Sequence, residues 1–216
     1  VQVSGSNSSR TTLLDQSGSD AGLLLKEDNE NLGLNIETTL QVDYTHPFSK
    51  SVKLETGAKT VLRDIDSDYI YRSFNFDQDR FVVDPLRTDV FNYRQDVWAA
   101  YASFNLKFGK KTGLVAGVRY ESTAIAGDYD VETNTFSNDY GNLLPSIILS
   151  RTLKGFQTLK LSYSQRIQRP SLFYVNPFVD LSDTRNISFG NPALLPEITD
   201  LYELNYNTFV KGIVLN

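Results

Sequence analysis

Apolar and polar residues alternate along much of this chain with a period of two. In "IETTLQVDY", Ile36, Leu40, Val42 and Tyr44 fall on one face, and Glu37, Gln41 and Asp43 on the other. "VKLETGAKTVLR" sets Val52, Leu54, Ala58 and Leu62 against Lys53, Glu55, Lys59 and Arg63. In "WAAYASFNLKF" one face carries Trp98, Ala100, Ala102, Phe104, Leu106 and Phe108. "LVAGVRYE" opposes Leu114, Ala116, Val118 and Tyr120 to Arg119 and Glu121. "LKLSYS" and "YELNYN" repeat the pattern with Leu159, Leu161, Tyr163 and Tyr202, Leu204, Tyr206. "NLLPSIILS" is apolar on both faces and carries Pro145. Side chains of a strand point alternately to its two faces, so this pattern predicts half-exposed β-strands. It places strands near 32–44, 51–63, 93–108, 113–124, 142–153, 157–168 and 198–208. Residues 1–9 and 212–216 read as parts of two more, and no segment has helical spacing.

The connections between these strands fall into two alternating classes. "THPFSK" (45–50), "GKKT" (109–112), "LKGF" (153–156) and "FVKG" (209–212) are short. Residues 10–31, 64–92, 125–141 and 169–197 are long, and the last contains Pro170, Pro177, Pro192 and Pro196. An up-and-down sheet with short turns on one edge and long loops on the other is the layout of an outer-membrane barrel. The fold class expected is all-β, an antiparallel up-and-down meander forming part of a large transmembrane β-barrel. Tyr44, Phe48, Phe108, Phe156 and Phe209 flank the short turns; Tyr120, Tyr140 and Tyr202 lie toward the long loops. Two such aromatic bands suit the two membrane–water interfaces.

Composition narrows the function classes. Apolar residues make up 40% and charged residues 22%, which is not a disordered composition. The net charge is −5 and there is no Lys/Arg run, so no nucleic-acid partner is expected. With no Cys there is neither a disulfide framework nor a thiolate metal site. No apolar run reaches the roughly 18 residues of a membrane helix, a test that misses membrane strands.

Candidate chemistry is sparse. Asp64, Asp66 and Asp68 occupy the first, third and fifth positions of a calcium-loop pattern. The sixth position is Tyr69 rather than Gly and the twelfth is Asn75 rather than Glu. His46 is the single His, so a zinc site and a Ser-His-Asp triad both lack partners. Neither a metal, a cofactor nor an enzyme activity is expected. The residues singled out are charges on the polar face or at a loop mouth: Lys53, Glu55, Lys59, Arg119, Glu121, Lys160, Arg166 and Arg169. Arg166 and Arg169 could bind an anionic substrate or clamp a loop carboxylate such as Asp180 or Asp183, the structural role being favoured. In "GNPALLPE", Gly190 is expected to supply a positive φ, while Pro192 and Pro196 stiffen the approach to the strand at 198.

From residue 32 onward the chain resembles the barrel of TonB-dependent outer-membrane receptors, in particular the outer membrane protein beta-barrel family. The resemblance rests on "DYTHPFSKSVKLETGAKTVLRDIDSDY" (43–69), "YRQDVWAAYASF" (93–104) and "LVAGVRYEST" (114–123). It continues in "YGNLLPSIILS" (140–150), "LSYSQRIQRPSLFYVNPF" (161–178) and "GNPALLPEITDLYELNYN" (190–207). It implies a barrel of about 22 strands around a plug, energised uptake of a scarce nutrient, and the cell outer membrane of a Gram-negative bacterium. The implied partners are outer-membrane lipid, a plug domain, further barrel strands and the TonB complex. No plug or TonB-contacting segment is legible in 1–216, so the whole chain is expected to be one partial barrel domain. The alternative is a soluble β-barrel or β-sandwich ligand-binding module, such as a carbohydrate-binding one. A third possibility is an outer-membrane enzyme on a smaller barrel. In a soluble module Trp98, Phe104, Leu114, Val118, Leu161 and Leu204 would form one interior core; in a membrane barrel they would face lipid.

Overall fold

The computed structural model describes residues 2–14, 20–129, 135–154, 157–177, 189–210 and 213–215. For 2–14, 20–26, 209–210 and 213–215 it describes the backbone alone. The strands are β1 (Gln2–Leu14), β2 (Asp20–Pro47), β3 (Val52–Asn75), β4 (Arg80–Val83) and β5 (Asp89–Phe108). They continue as β6 (Thr112–Tyr129), β7 (Phe136–Thr152), β8 (Thr158–Gln168), β9 (Glu197–Val210) and β10 (Ile213–Leu215). One helical turn, α1 (Leu172–Val175), follows β8. The sheet order is β1-β2-β3-β5-β6-β7-β8-β9-β10, with β4 paired to β3. The fold is an all-β antiparallel meander, with each main strand beside its chain neighbour and no crossover.

The short turns sit where the sequence places them. Residues 48–51 link β2 to β3, and Ser49 Oγ accepts from the N–H groups of Ser51 and Val52, both at 3.1 Å. Gly109 takes φ +63 in the β5–β6 turn, a left-handed backbone that a Cβ would strain. The connections at 153–156 and 209–212 include residues outside those described, but the strands on either side pair directly in both cases.

Three long connections are shorter than expected. Most of 10–31, 64–92 and 125–141 is strand. β3 runs on to Asn75, turns on Asn75 Oδ1 (3.0 Å to the N–H groups of Asp77 and Gln78) and returns as β4. The reason is that in these stretches the covered face mixes polar with apolar residues, as Ile65, Ser67 and Tyr69 do opposite Asp64, Asp66 and Asp68, so hydrophobic alternation weakens while the backbone ladder continues. Cross-strand charges replace it as the side-chain glue. Arg63 pairs with Glu37, and Arg72 with Asp28 (3.1 Å) and Glu30 (3.2 Å). Such exposed pairs contribute little each, about 0–1 kcal/mol. Asp64, Asp66 and Asp68 lie within β3 rather than in a loop. Residues i, i+2 and i+4 of a strand stand roughly 7 Å apart and cannot converge on one ion, so the calcium-loop geometry is absent.

Pro145 belongs to β7, as the strand expected over 142–153 requires. The β7–β8 ladder stops at Ser146↔Ser164, one residue short of it. A proline has no N–H to carry a ladder on. Beyond that point β8 pairs only with β9, as far as Gln168↔Glu197.

The chain divides into two compact units: 1–38 with 62–95 and 125–137, and 39–61 with 96–124 and 138–216. The first holds a small aromatic core of Tyr71, Phe91, Tyr93 and Tyr129, with Phe91 and Tyr129 stacked at 4.6 Å. Arg87 lies 3.9 Å over the Tyr71 ring. Tyr71, in the part of β3 beyond the alternating stretch, donates its hydroxyl to Glu27. Burial first, and then that carboxylate, push its phenol well above the ordinary tyrosine range.

In the second unit the polarity is inverted relative to a soluble domain. Trp98 is 59% exposed and Leu204 71%; Phe104, Val118 and Leu161 are exposed as well, and Leu114 is half-buried. On the opposite face Glu121 is 6% exposed and Thr123 1%. The apolar residues named above therefore do not form the interior core that a soluble module requires. An exposed apolar face of this kind marks a membrane or protein interaction surface.

Candidate functional site

The polar face of the second unit carries every charged residue singled out from the sequence. β6 sets Arg119, Glu121 and Thr123 on that face by simple alternation, and β7 adds Asn138, Tyr140 and Asn142. Arg169 follows directly after β8. Arg119 Nε donates to Glu121 Oε1, and Arg169 Nη2 donates to Glu121 Oε2. Arg169 Nε also donates to Thr123 Oγ1 at 3.0 Å. One buried carboxylate is thus bracketed by two guanidinium groups. Burying a charge is costly unless it is paired and hydrogen-bonded, and both oxygens of Glu121 are so satisfied. Tyr140 completes the cluster, its hydroxyl buried beside Thr123.

The sheet order gives this cluster its meaning. β7 lies between β6 and β8, so Arg169 must pass over β7 to reach β6. The segment after it stays on the same side. Asn138 of β7 donates through Nδ2 to the backbone carbonyls of Pro192 (3.2 Å) and Leu194 (3.1 Å). The two arms of the β8–β9 connection also hold each other: Gly190 N donates to Asn176 O and Asn191 N to Tyr174 O, both at 2.7 Å. A cleft of about 420 Å³ opens between Arg169, Tyr174, Leu194 and Leu195.

Gly190 has a different role from the one expected. Its backbone is not in the left-handed region; what it needs is space. A Cβ there would stand 2.5 Å from Asn176 O and 2.6 Å from Tyr174 O, both rigid backbone atoms. Gly190→Ala is therefore expected to break the Asn176–Gly190 pairing. Its cost should be about 1–3 kcal/mol by the usual measure of overpacking, read as earlier proteolytic cleavage of this connection than of the 76–79 turn.

The other singled-out charges divide. Lys53 pairs with Glu55, which also accepts from Asn105 Nδ2 at 2.9 Å. Lys160 stands opposite Ser150 and Asn205, and Arg166 opposite Thr199, all on the polar face. Among the described residues no ion pair is found for Lys59, Lys160 or Arg166. Asp180 and Asp183, the loop carboxylates considered for Arg169, lie outside the described residues. Its partner is instead Glu121 on the wall. Sequence reasoning missed Thr123, Tyr140 and Asn138. Thr123 was findable by extending the alternation from Glu121; Asn138 was hidden inside an expected loop.

Tyr140 also departs from the expected aromatic band. It sits on the polar face, while Tyr44, Phe48, Phe108, Tyr120 and Tyr202 are exposed. The side chains of Phe156 and Phe209 lie outside those described. His46 packs between Tyr44 and Phe48 beside the short turn, with Tyr44 Oη 3.1 Å from its Nδ1.

No curated protein matches the chain. A family profile does, described as the outer membrane protein beta-barrel family and matching residues 1–216. With its meander topology and its exposed apolar face, the chain belongs to the outer membrane protein beta-barrel family.

Proposed function

We propose that this chain forms wall, polar lining and loop regions of a TonB-dependent outer-membrane transporter that takes up a scarce nutrient. The observation that carries the reading is the inverted polarity of the second unit. Its apolar face is exposed as a surface bathed in lipid requires, and its polar face bears the charges. The TonB-dependent part is supported by the sequence words from "DYTHPFSK" to "ELNYN". In this reading the partners are outer-membrane lipid, a plug domain, further barrel strands and the TonB complex of a Gram-negative cell. The chain acts by lining a path and not by bond chemistry: both oxygens of Glu121, the most buried carboxylate among the described residues, are occupied by arginine.

Two measurements test it. The chain has no Cys, so single cysteines report cleanly. In intact cells Ala102→Cys, Phe104→Cys, Val118→Cys and Leu161→Cys should resist a water-soluble thiol reagent and accept a lipid-soluble one. Lys53→Cys, Arg119→Cys and Lys160→Cys should show the reverse. Protection of the apolar set from both reagents would mean a dry protein core and end the membrane reading. For transport, labelled siderophores, oligosaccharides and peptides are offered to cells with and without the gene. One class should lose accumulation on deletion and again on collapse of the proton-motive force. Gene-dependent uptake that survives the collapse would remove TonB from the proposal.

A further inference from the structure

We infer that the two described arms of the β8–β9 connection, 169–177 and 189–196, form a strap clamped across the polar face of β6 and β7. This rests on the barrel reading above, in which the polar face lines the lumen; the strap then takes up lumen space and limits the size of solute that passes there.

Three independent attachments carry the inference. Arg169 crosses β7 to bind Glu121 and Thr123 of β6. Asn138 of β7 holds the other arm through two carbonyls. The arms pair with each other through Gly190 and Asn191. The attachments lie at both arms of the connection, so neither arm can swing away while the other holds. Burial agrees with this placement. Val175 of α1 is fully buried, and Glu121, Thr123 and Leu144 on the polar face are buried too, while Phe173, Tyr174 and Leu195 of the same connection stay exposed. A loop projecting away from the sheet would leave the wall residues beside it wet. Pro145 has a part in the arrangement: where the β7–β8 ladder stops, β8 is released from β7, and the chain can fold back over it.

The test uses thiol reagents of two sizes on the full-length protein in intact cells. Leu195→Cys reports the strap, and Asp77→Cys, in the exposed 76–79 turn, reports an outward connection. A small methanethiosulfonate should label both. A maleimide carrying a long polyethylene glycol chain should label Leu195→Cys slower than Asp77→Cys by about tenfold or more, a protection typical of local rather than global opening. Adding Arg169→Ala with Asn138→Ala should bring the two rates together. Asn138→Ala alone touches no charge, so it keeps the test alive where the double change does not assemble; it should raise the Leu195→Cys rate by itself. Equal rates in the native protein, or no rise on release, would overturn the strap. An Asp77→Cys that labels only after lysis would instead fault the outer-membrane reading. The strap is then judged in detergent-solubilised protein, where the same slow labelling of Leu195→Cys is required.

Discussion

Val118→Arg is expected to destabilise the assembled barrel by about 2–4 kcal/mol, the cost of a cation near the bilayer midplane. Val118 lies six residues into β6 from Thr112, next to a short turn. At about 3.3 Å per residue and a tilt near 40°, that is roughly 15 Å of depth, half of a hydrocarbon layer about 30 Å thick. The side chain is exposed on the apolar face, so an arginine there finds lipid and no partner. Lys160→Ala is the matched control. It removes an exposed charge from the polar face, and its expected cost is about 0–0.5 kcal/mol. Urea titration of the full-length protein refolded into lipid vesicles measures both. Equal costs for the two changes would contradict the assignment of faces.

Glu121→Gln should have the next largest effect, about 2–3 kcal/mol. Removing one partner of a buried ion pair commonly costs about 3–5 kcal/mol, because the other charge is left buried and unpaired. Here two arginines lose the same anion and then repel one another. Their side chains are 34% and 24% exposed, so water recovers part of the loss. The shape is conserved in this substitution, so the effect isolates charge. In the same vesicle titration, Glu121→Gln placed on Arg169→Ala should add less than it costs alone. Residues sharing one ion-pair network are not independent. Full additivity would mean that Arg169 does not depend on Glu121.

How legible this was varies by residue. Ends of strands beside short turns are found within a residue or two (52 against an expected 51, 112 against 113, 158 against 157), except that β2 runs to Pro47 against an expected 44. A turn must reverse the chain in a few residues, and its Gly and Ser chemistry is local. Ends at three of the four long connections are not legible; at the fourth, β8 ends at Gln168 and β9 begins at Glu197, against an expected 168 and 198. β3 continues to Asn75 past the expected 63, because its covered face there mixes Ser67 and Ser73 with Ile65, Tyr69 and Tyr71, and a mixed face blurs the hydrophobic pattern. The clamp divides in the same way. Arg119, Glu121 and Arg169 stand out as charges, yet 48 positions separate Glu121 from Arg169, and nothing local joins them.

The sequence by itself determined that the chain is a β-meander with one apolar face, since period-two alternation and turn residues act within a few positions. It also determined which charges oppose that face. The structure alone decided that the apolar face is left exposed while carboxylate, hydroxyl and guanidinium groups are covered. It alone placed Tyr140 with the charges, turned Gly190 from a flexible joint into a point of close approach, and joined Arg169 to β6 and the 192–194 backbone to β7. Each of these depends on which strand lies next to which, and so on backbone pairing between segments distant in the chain.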